Sequence, residues 1–165
     1  MRVYLPATLS TLQTLLDVGT FGEPPLPAYA VTGALREWYA EGGEEELEYA
    51  ALTLAAAASV RLLDADQDAI RRRVVLVVEV PDTDVSPQPH VDRAAVKVTA
   101  AVPLSAVQSV HVDDPSAEAD VRAAADAVVA ADLGSEDAAF TVEQPEGHEL
   151  QWYATQEIGA LLELL

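Results

Sequence analysis

Val74-Val75-Leu76-Val77-Val78 is the stretch that decides the fold. It is continuously apolar, with four of its residues β-branched, so it has no polar face to turn to water. Such a run marks a strand covered on both sides. Three arginines, Arg71-Arg72-Arg73, precede it, and Pro81 closes it.

On the N-terminal side, Val3-Tyr4-Leu5 reads as a short strand ended by Pro6. Leu9, Leu12, Leu15 and Leu16 then recur at helical spacing, and Gly19 fits the C-terminal stop. Phe21 to Pro27 is a proline-rich turn, and Tyr29-Ala30-Val31 is a second short strand. Thr32 is placed to cap a helix with Leu35, Trp38 and Tyr39 on one face, and Gly42-Gly43 breaks it. A long helix is expected from Glu44 to Leu63, with a stripe of Leu47, Ala51, Leu54, Ala58 and Leu62. Glu44, Glu45 and Glu46 fill its first turn, where the helix dipole favours negative charge.

On the C-terminal side, residues 81 to 93 hold three prolines and little to bury, and predict a flexible loop. Val96, Val98, Ala100 and Val102 alternate with Lys97, Thr99 and Ala101, as in a half-exposed strand. Val107 to Val112 predicts another strand. Asp114-Pro115 gives a cap followed by proline at the first helical position, opening a helix that runs to about Ala131. Phe140 to Gln144 and His148 to Ala154 predict a hairpin around Pro145-Glu146-Gly147. In its second arm Leu150 and Trp152 face one side, and Glu149, Gln151 and Tyr153 the other. Thr155 is placed to cap a last helix with Ile158, Leu161, Leu162 and Leu165 inward.

The sum is α+β: one layered domain over residues 1–165, with a mixed or antiparallel sheet of about six or seven short strands packed with about five helices. At 165 residues the chain is long enough to bury a core without disulfides or metals. It has no cysteine, which excludes disulfides, thiolate zinc sites and cysteine nucleophiles.

Acidic residues number 28 against 9 basic, and the formal net charge is −19. Nucleic-acid binding rests on cations that displace counterions from phosphates, so this balance excludes nucleic acid and anionic membranes as partners. Like charges crowd together in the compact state, so moderate salt is expected to raise the melting temperature. No apolar run approaches the length a membrane helix needs. The N-terminal residues, with Arg2 followed by Pro6, Thr8, Ser10 and Thr11, lack the unbroken apolar stretch of a signal peptide. The expectation is a soluble cytoplasmic chain of unspecified oligomeric state.

Four segments carry a resemblance: Met1-Arg-Val-Tyr-Leu-Pro-Ala-Thr8, Ala34-Leu-Arg-Glu-Trp-Tyr-Ala-Glu41, Glu45-Glu-Leu-Glu-Tyr-Ala-Ala51 and Gly147-His-Glu-Leu-Gln-Trp-Tyr-Ala-Thr-Gln-Glu157. Together they resemble a family of uncharacterised proteins from high-GC actinobacteria, over the whole chain. Abundant alanine and arginine in preference to lysine agree with GC-rich coding. The resemblance implies a bacterial, cytosolic, single-domain setting and carries over no catalytic residue.

The candidate chemistry is sparse. His148, Glu149 and Glu157 lie close in sequence, and a histidine beside carboxylates serves as a general base or helps bind a divalent metal. The plainer alternative is an acidic tip facing water. His111 and Asp113 are a second candidate metal pair, at a strand end leading into a helix. There Asp114 is also explained as a cap and Asp113 by the helix dipole. Asp64, Asp66 and Asp68 imitate a calcium loop, but Ala69 and Val75 stand where glycine and glutamate are required. Arg71-Arg72-Arg73 could hold a phosphate or carboxylate; offsetting the neighbouring aspartates is the plainer role.

Trp38-Tyr39-Ala40 and Trp152-Tyr153-Ala154 contain both tryptophans of the chain. Three matched residues are too few for a repeat, and one triplet reads as helix, the other as strand. The plain expectation places both indoles in the core. The sharper one has them meet and line one pocket with Arg36, Glu37 and Tyr153, since aromatic pockets edged by polar groups are common ligand sites. The functional expectation is a non-catalytic protein that binds a partner protein or a small polar or cationic ligand. The alternative is a small hydrolase or metal-dependent enzyme centred on His148.

Overall fold

Strand β4 (Val74–Glu79) lies in the interior of the sheet, between β1 (Arg2–Ala7) and β8 (Val107–Val112). The computed structural model describes all residues, Met1–Leu165. The other strands are β2 (Thr20–Phe21), β3 (Leu26–Tyr29), β5 (Val85–Pro87), β6 (Ala95–Val98), β7 (Val102–Pro103) and β9 (Gln151–Ala154). Seven of them form one sheet in the order β5-β6-β3-β1-β4-β8-β9, with β2 and β7 paired apart. Every pairing is antiparallel. A continuous apolar strand is the usual mark of a parallel sheet. Here the same run arises because helices cover both faces of an antiparallel one.

Alternation sorts β4 between those faces. Val74, Leu76 and Val78 join Val3, Leu5 and Ala7 of β1 in the larger core. That core is closed by α1 (Leu9–Val18), through Leu9, Leu12 and Leu15, and by α6 (Ile158–Glu163), through Ile158 and Leu161. Val75 and Val77 turn to the opposite face, where Tyr4 and Ala51, Ala55 and Ala56 of α3 (Glu44–Ala65) meet them. Burying each such Val or Leu side chain stabilises the fold by about 1.5–3 kcal/mol.

Local chemistry sets the helix ends. The Thr8 hydroxyl accepts from the Thr11 backbone N–H at the start of α1, and Gly19, at φ 85°, ends it in the left-handed conformation that glycine tolerates. Thr32 caps α2 (Gly33–Trp38) as expected, accepting from the Leu35 N–H. Ser59, buried within α3, donates to the Ala7 carbonyl at 2.7 Å and accepts from the Val74 N–H at 3.1 Å. One hydroxyl therefore ties the helix to the ends of both β1 and β4.

Several expectations are corrected. The buried residues of α3 are Leu47, Ala51, Ala55, Ala56, Ser59, Val60 and Leu63, whereas Leu62 is 41% exposed. The helix packs on the sheet with small side chains and on α4 (Glu118–Asp132) with Val60 and Leu63. Leucine spacing alone pointed about one position away. Phe140 to Gln144 is not a hairpin arm. Residues Glu136–Glu143 form helix α5, capped by Ser135 accepting from the Ala138 N–H, with Glu136 and Asp137 in its first turn. Cap and dipole prevail over the β propensity of Phe140, Thr141 and Val142. Strand β9 pairs instead with β8.

The segment expected to be a loop carries a 3₁₀ turn over Asp82–Asp84 and the edge strand β5. The strand expected over Val96 to Val102 stops at Val98, and Val102 pairs with Phe21 in the small sheet. Thr155 does not cap the last helix. Its hydroxyl donates to the Val107 carbonyl, while Glu157 accepts the Ala154 N–H. No helix is long and apolar enough to cross a membrane.

Candidate functional site

Helix α3 covers β1 and β4 but leaves the same face of β8 and β9 open, and a groove runs along that gap. Val77, Ser109 and His111 line it from the sheet, Glu45, Glu48, Tyr49 and Leu52 from α3, and Trp152 from β9. This part of the groove has a volume of about 440 Å³. A second cavity of about 350 Å³ continues it toward Arg73, Glu146, His148, Glu149 and Leu150. The two share Tyr49, Leu52, His111 and Trp152.

Pairing and alternation build the groove. His111 and Trp152 are direct cross-strand partners, so their side chains stand together on one face. Within β9 the expected alternation holds: Trp152 lies in the groove, while Tyr153 packs against the larger core and its hydroxyl donates to Gln151 Oε1 at 3.0 Å. Glu149, expected on the Tyr153 side, precedes the strand and lines the groove instead. Burial away from water lowers the pKa of the His111 imidazole below the ordinary value of 6.5, because the charged form loses its hydration. The ring in the middle of the groove is therefore neutral at pH 7.

The neighbouring ionisable groups are already engaged. Asp113 is 2% exposed and grips Arg73 through two 2.8 Å contacts, Nε to Oδ2 and Nη2 to Oδ1. It also accepts the Arg73 backbone N–H at 2.8 Å. Arg73 Nη2 donates to the His148 carbonyl at 2.9 Å, which fastens the segment leading into β9. His148 Nε2 lies 2.7 Å from Asp120 Oδ2 on α4. Its carboxylate partner is thus Asp120, not the Glu149 or Glu157 that sequence proximity suggested. Glu149 lines the groove, and Glu157 is used at the Ala154 N–H. Asp113 is taken up by Arg73 rather than paired with His111, and no three His, Cys, Asp or Glu side chains come together in a cluster. The three arginines each have structural partners as well. Arg71 donates to the Leu63, Asp66 and Gln67 carbonyls at the end of α3, Arg72 pairs with Glu118 at 2.7 Å, and Arg73 holds Asp113.

Neither tryptophan is in the core: Trp38 is 61% exposed and Trp152 60%. Helix α2 is a single short segment that buries only Leu35, which leaves Trp38 at its rim. The Arg93 guanidinium carbon lies 3.6 Å from the centroid of the Trp38 ring. The Thr32 hydroxyl donates to the Arg93 carbonyl and holds that residue beside α2. Glu37 lines a shallow hollow with Trp38, Asp92 and Arg93, while Arg36 is drawn off by Glu44 in a two-contact ion pair at 2.7 and 2.8 Å. Trp38 and Trp152 line different cavities. Of the pocket expected from Arg36, Glu37, Trp38, Trp152 and Tyr153, only Trp152 lines the groove.

The chain belongs to the family of unknown function DUF6912. The family model matches residues 1–162. No curated protein matches the chain, and no solved structure does. The family assignment agrees with the uncharacterised family that the sequence resembles.

Sequence reasoning missed Glu45, Glu48, Tyr49 and Leu52 as site residues. Their signal is a second line on α3: Glu45, Tyr49 and Leu52 follow one another at helical spacing, off the buried stripe. Tyr49 is 60% exposed. A large aromatic one turn from a leucine, off the buried stripe, is the clue.

Proposed function

We propose that this protein is a non-catalytic binding module and that the groove between α3 and β8–β9 receives a cationic partner or small cationic ligand. One observation carries the reading. Exposed Trp152 and Tyr49 share a groove with Glu45, Glu48, Glu146 and Glu149, whereas Asp113, Glu157 and His148 are held by neighbours. Aromatic faces beside carboxylates attract cations. The charge balance argues against nucleic acid. The proposed setting is the cytoplasm of a high-GC actinobacterium, in line with the lack of cysteine and the resemblance of the four segments.

The test uses Trp38→Phe protein, in which Trp152 is the sole indole. Guanidinium and tetramethylammonium ions should change its emission saturably, beyond the effect of sodium chloride at equal ionic strength. The change should weaken in Glu45→Gln. Emission that responds to all three salts alike would refute the reading.

A second reading, a small hydrolase or metal-dependent enzyme, draws on the 2.7 Å bond between His148 and Asp120 at the end of the same groove. A carboxylate that orients an imidazole prepares it for proton transfer. A rise in melting temperature with Mn²⁺ or Zn²⁺ that vanishes in His148→Ala would favour this reading, since a bound ion stabilises the folded state by mass action.

A further inference from the structure

The two tryptophans differ in what covers them. Trp38 carries the chain's own Arg93 on its ring. Trp152 has the same exposure, but no cation of the chain stacks on it. Three of the four groove glutamates, Glu45, Glu146 and Glu149, make no ion pair, and Glu48 meets only Arg2, at 3.4 Å. The open indole and the free carboxylates lie in one groove.

We infer that the occupant of this groove is an arginine-bearing stretch of polypeptide, laid along β9 with a guanidinium on Trp152. The inference rests on the binding-module reading and names its partner.

Arginine fits better than lysine. Its planar guanidinium stacks on an indole while it pairs with carboxylates in a two-contact geometry. The fold already contains the stacking half of such an arrangement, Arg93 on Trp38.

A polypeptide fits better than a lone cation for two reasons. The groove is elongated, reaching from Arg2 past Trp152 to His148, and a single guanidinium would fill only part of it. In addition, β9 is the terminal strand, paired with β8 on one side only. The Ala154 N–H turns to Glu157 rather than to β8. Alternation along an antiparallel strand then points the Trp152 N–H and C=O outward as well. A segment lying there gains main-chain hydrogen bonds, as in strand addition at a sheet edge. The opposite edge strand, β5, ends in Pro87, which has no N–H to offer.

The experiment titrates Trp38→Phe protein with Ac-Ala-Arg-Ala-Arg-Ala-NH₂, following Trp152 emission. The comparison ligands are the same peptide with citrulline for arginine and the single residue Nα-acetylarginine amide. The arginine peptide should bind at least about 10-fold more tightly than either. Glu45→Gln/Glu48→Gln should lose most of that margin while the free protein keeps its melting profile. Equal binding of the citrulline peptide would overturn the inference, because charge would then play no part. Equal binding of the single-residue amide would overturn the polypeptide partner yet leave a cation-binding groove standing. An unchanged affinity in the folded double variant would also overturn it. No saturable response to any of these ligands, with none to guanidinium ion either, would remove both the inference and the function it rests on.

Discussion

Trp38-Tyr39-Ala40 and Trp152-Tyr153-Ala154 have the same residues and nearly the same indole exposure, but they occupy opposite situations. The first ends a short helix whose neighbouring turn brings Arg93 onto the ring, so its binding face is filled from within the molecule. The second lies on an edge strand beside a groove, with carboxylates around it and nothing over it. The difference teaches that an exposed aromatic becomes a candidate site through what its surroundings leave unsatisfied. The residue type alone does not decide it.

The largest expected effect comes from breaking the support of the second triplet. Asp113→Ala strands Arg73 as a buried unpaired cation and loosens its hold on the His148 carbonyl. Removing one partner of a buried pair costs about 3–5 kcal/mol, measurable by urea denaturation. No equivalent buried pair supports Trp38, so the same loss from Arg36→Ala, whose partner Glu44 is exposed, would break the comparison.

The next effect is on pH dependence. Because burial lowers the His111 pKa, the unfolded chain takes up the proton at higher pH than the folded one. The stability contribution from neutral His111 is therefore present above about pH 6.5 and is lost as the pH falls below it. His111→Gln should flatten this part of the stability profile between about pH 7 and 5. An identical slope in the variant would show that the imidazole in the groove does not govern it.

Arg93→Ala should cost only about 0.5–1 kcal/mol, the scale of an exposed cation–π contact. It should also open the first triplet, so that in Trp152→Phe/Arg93→Ala protein the Trp38 emission gains a response to guanidinium that Trp152→Phe alone lacks. The smallest effects are expected from Trp38→Phe and Trp152→Phe, each within about 0.5 kcal/mol in thermal unfolding, as for exposed positions. A loss of several kcal/mol in either would return that indole to the core.

How far the site was legible follows from range. Val74 to Val78, the Thr32 and Asp114 caps and the Gly19 stop all act through neighbours a few residues away, and each was readable. The alternation that separates Trp152 from Tyr153 was readable too. The helix over Glu136–Glu143 was not legible although Ser135, Glu136 and Asp137 announce it, because Phe140, Thr141 and Val142 favour a strand. Asp120 as the partner of His148 was out of reach, since only the packing of α4 against the segment before β9 brings the two together.

Local periodicity, capping and charge composition by themselves determined a double-covered sheet, most of its helices and a strongly anionic surface, because those properties depend on short-range spacing and on sums over residues. Only the tertiary structure decided that β9 joins β8 at the sheet edge, that α3 stops short of covering them, and that Arg93 reaches one indole and not the other. Those outcomes depend on contacts between distant segments, and their energies are set by burial and geometry that no stretch of sequence contains.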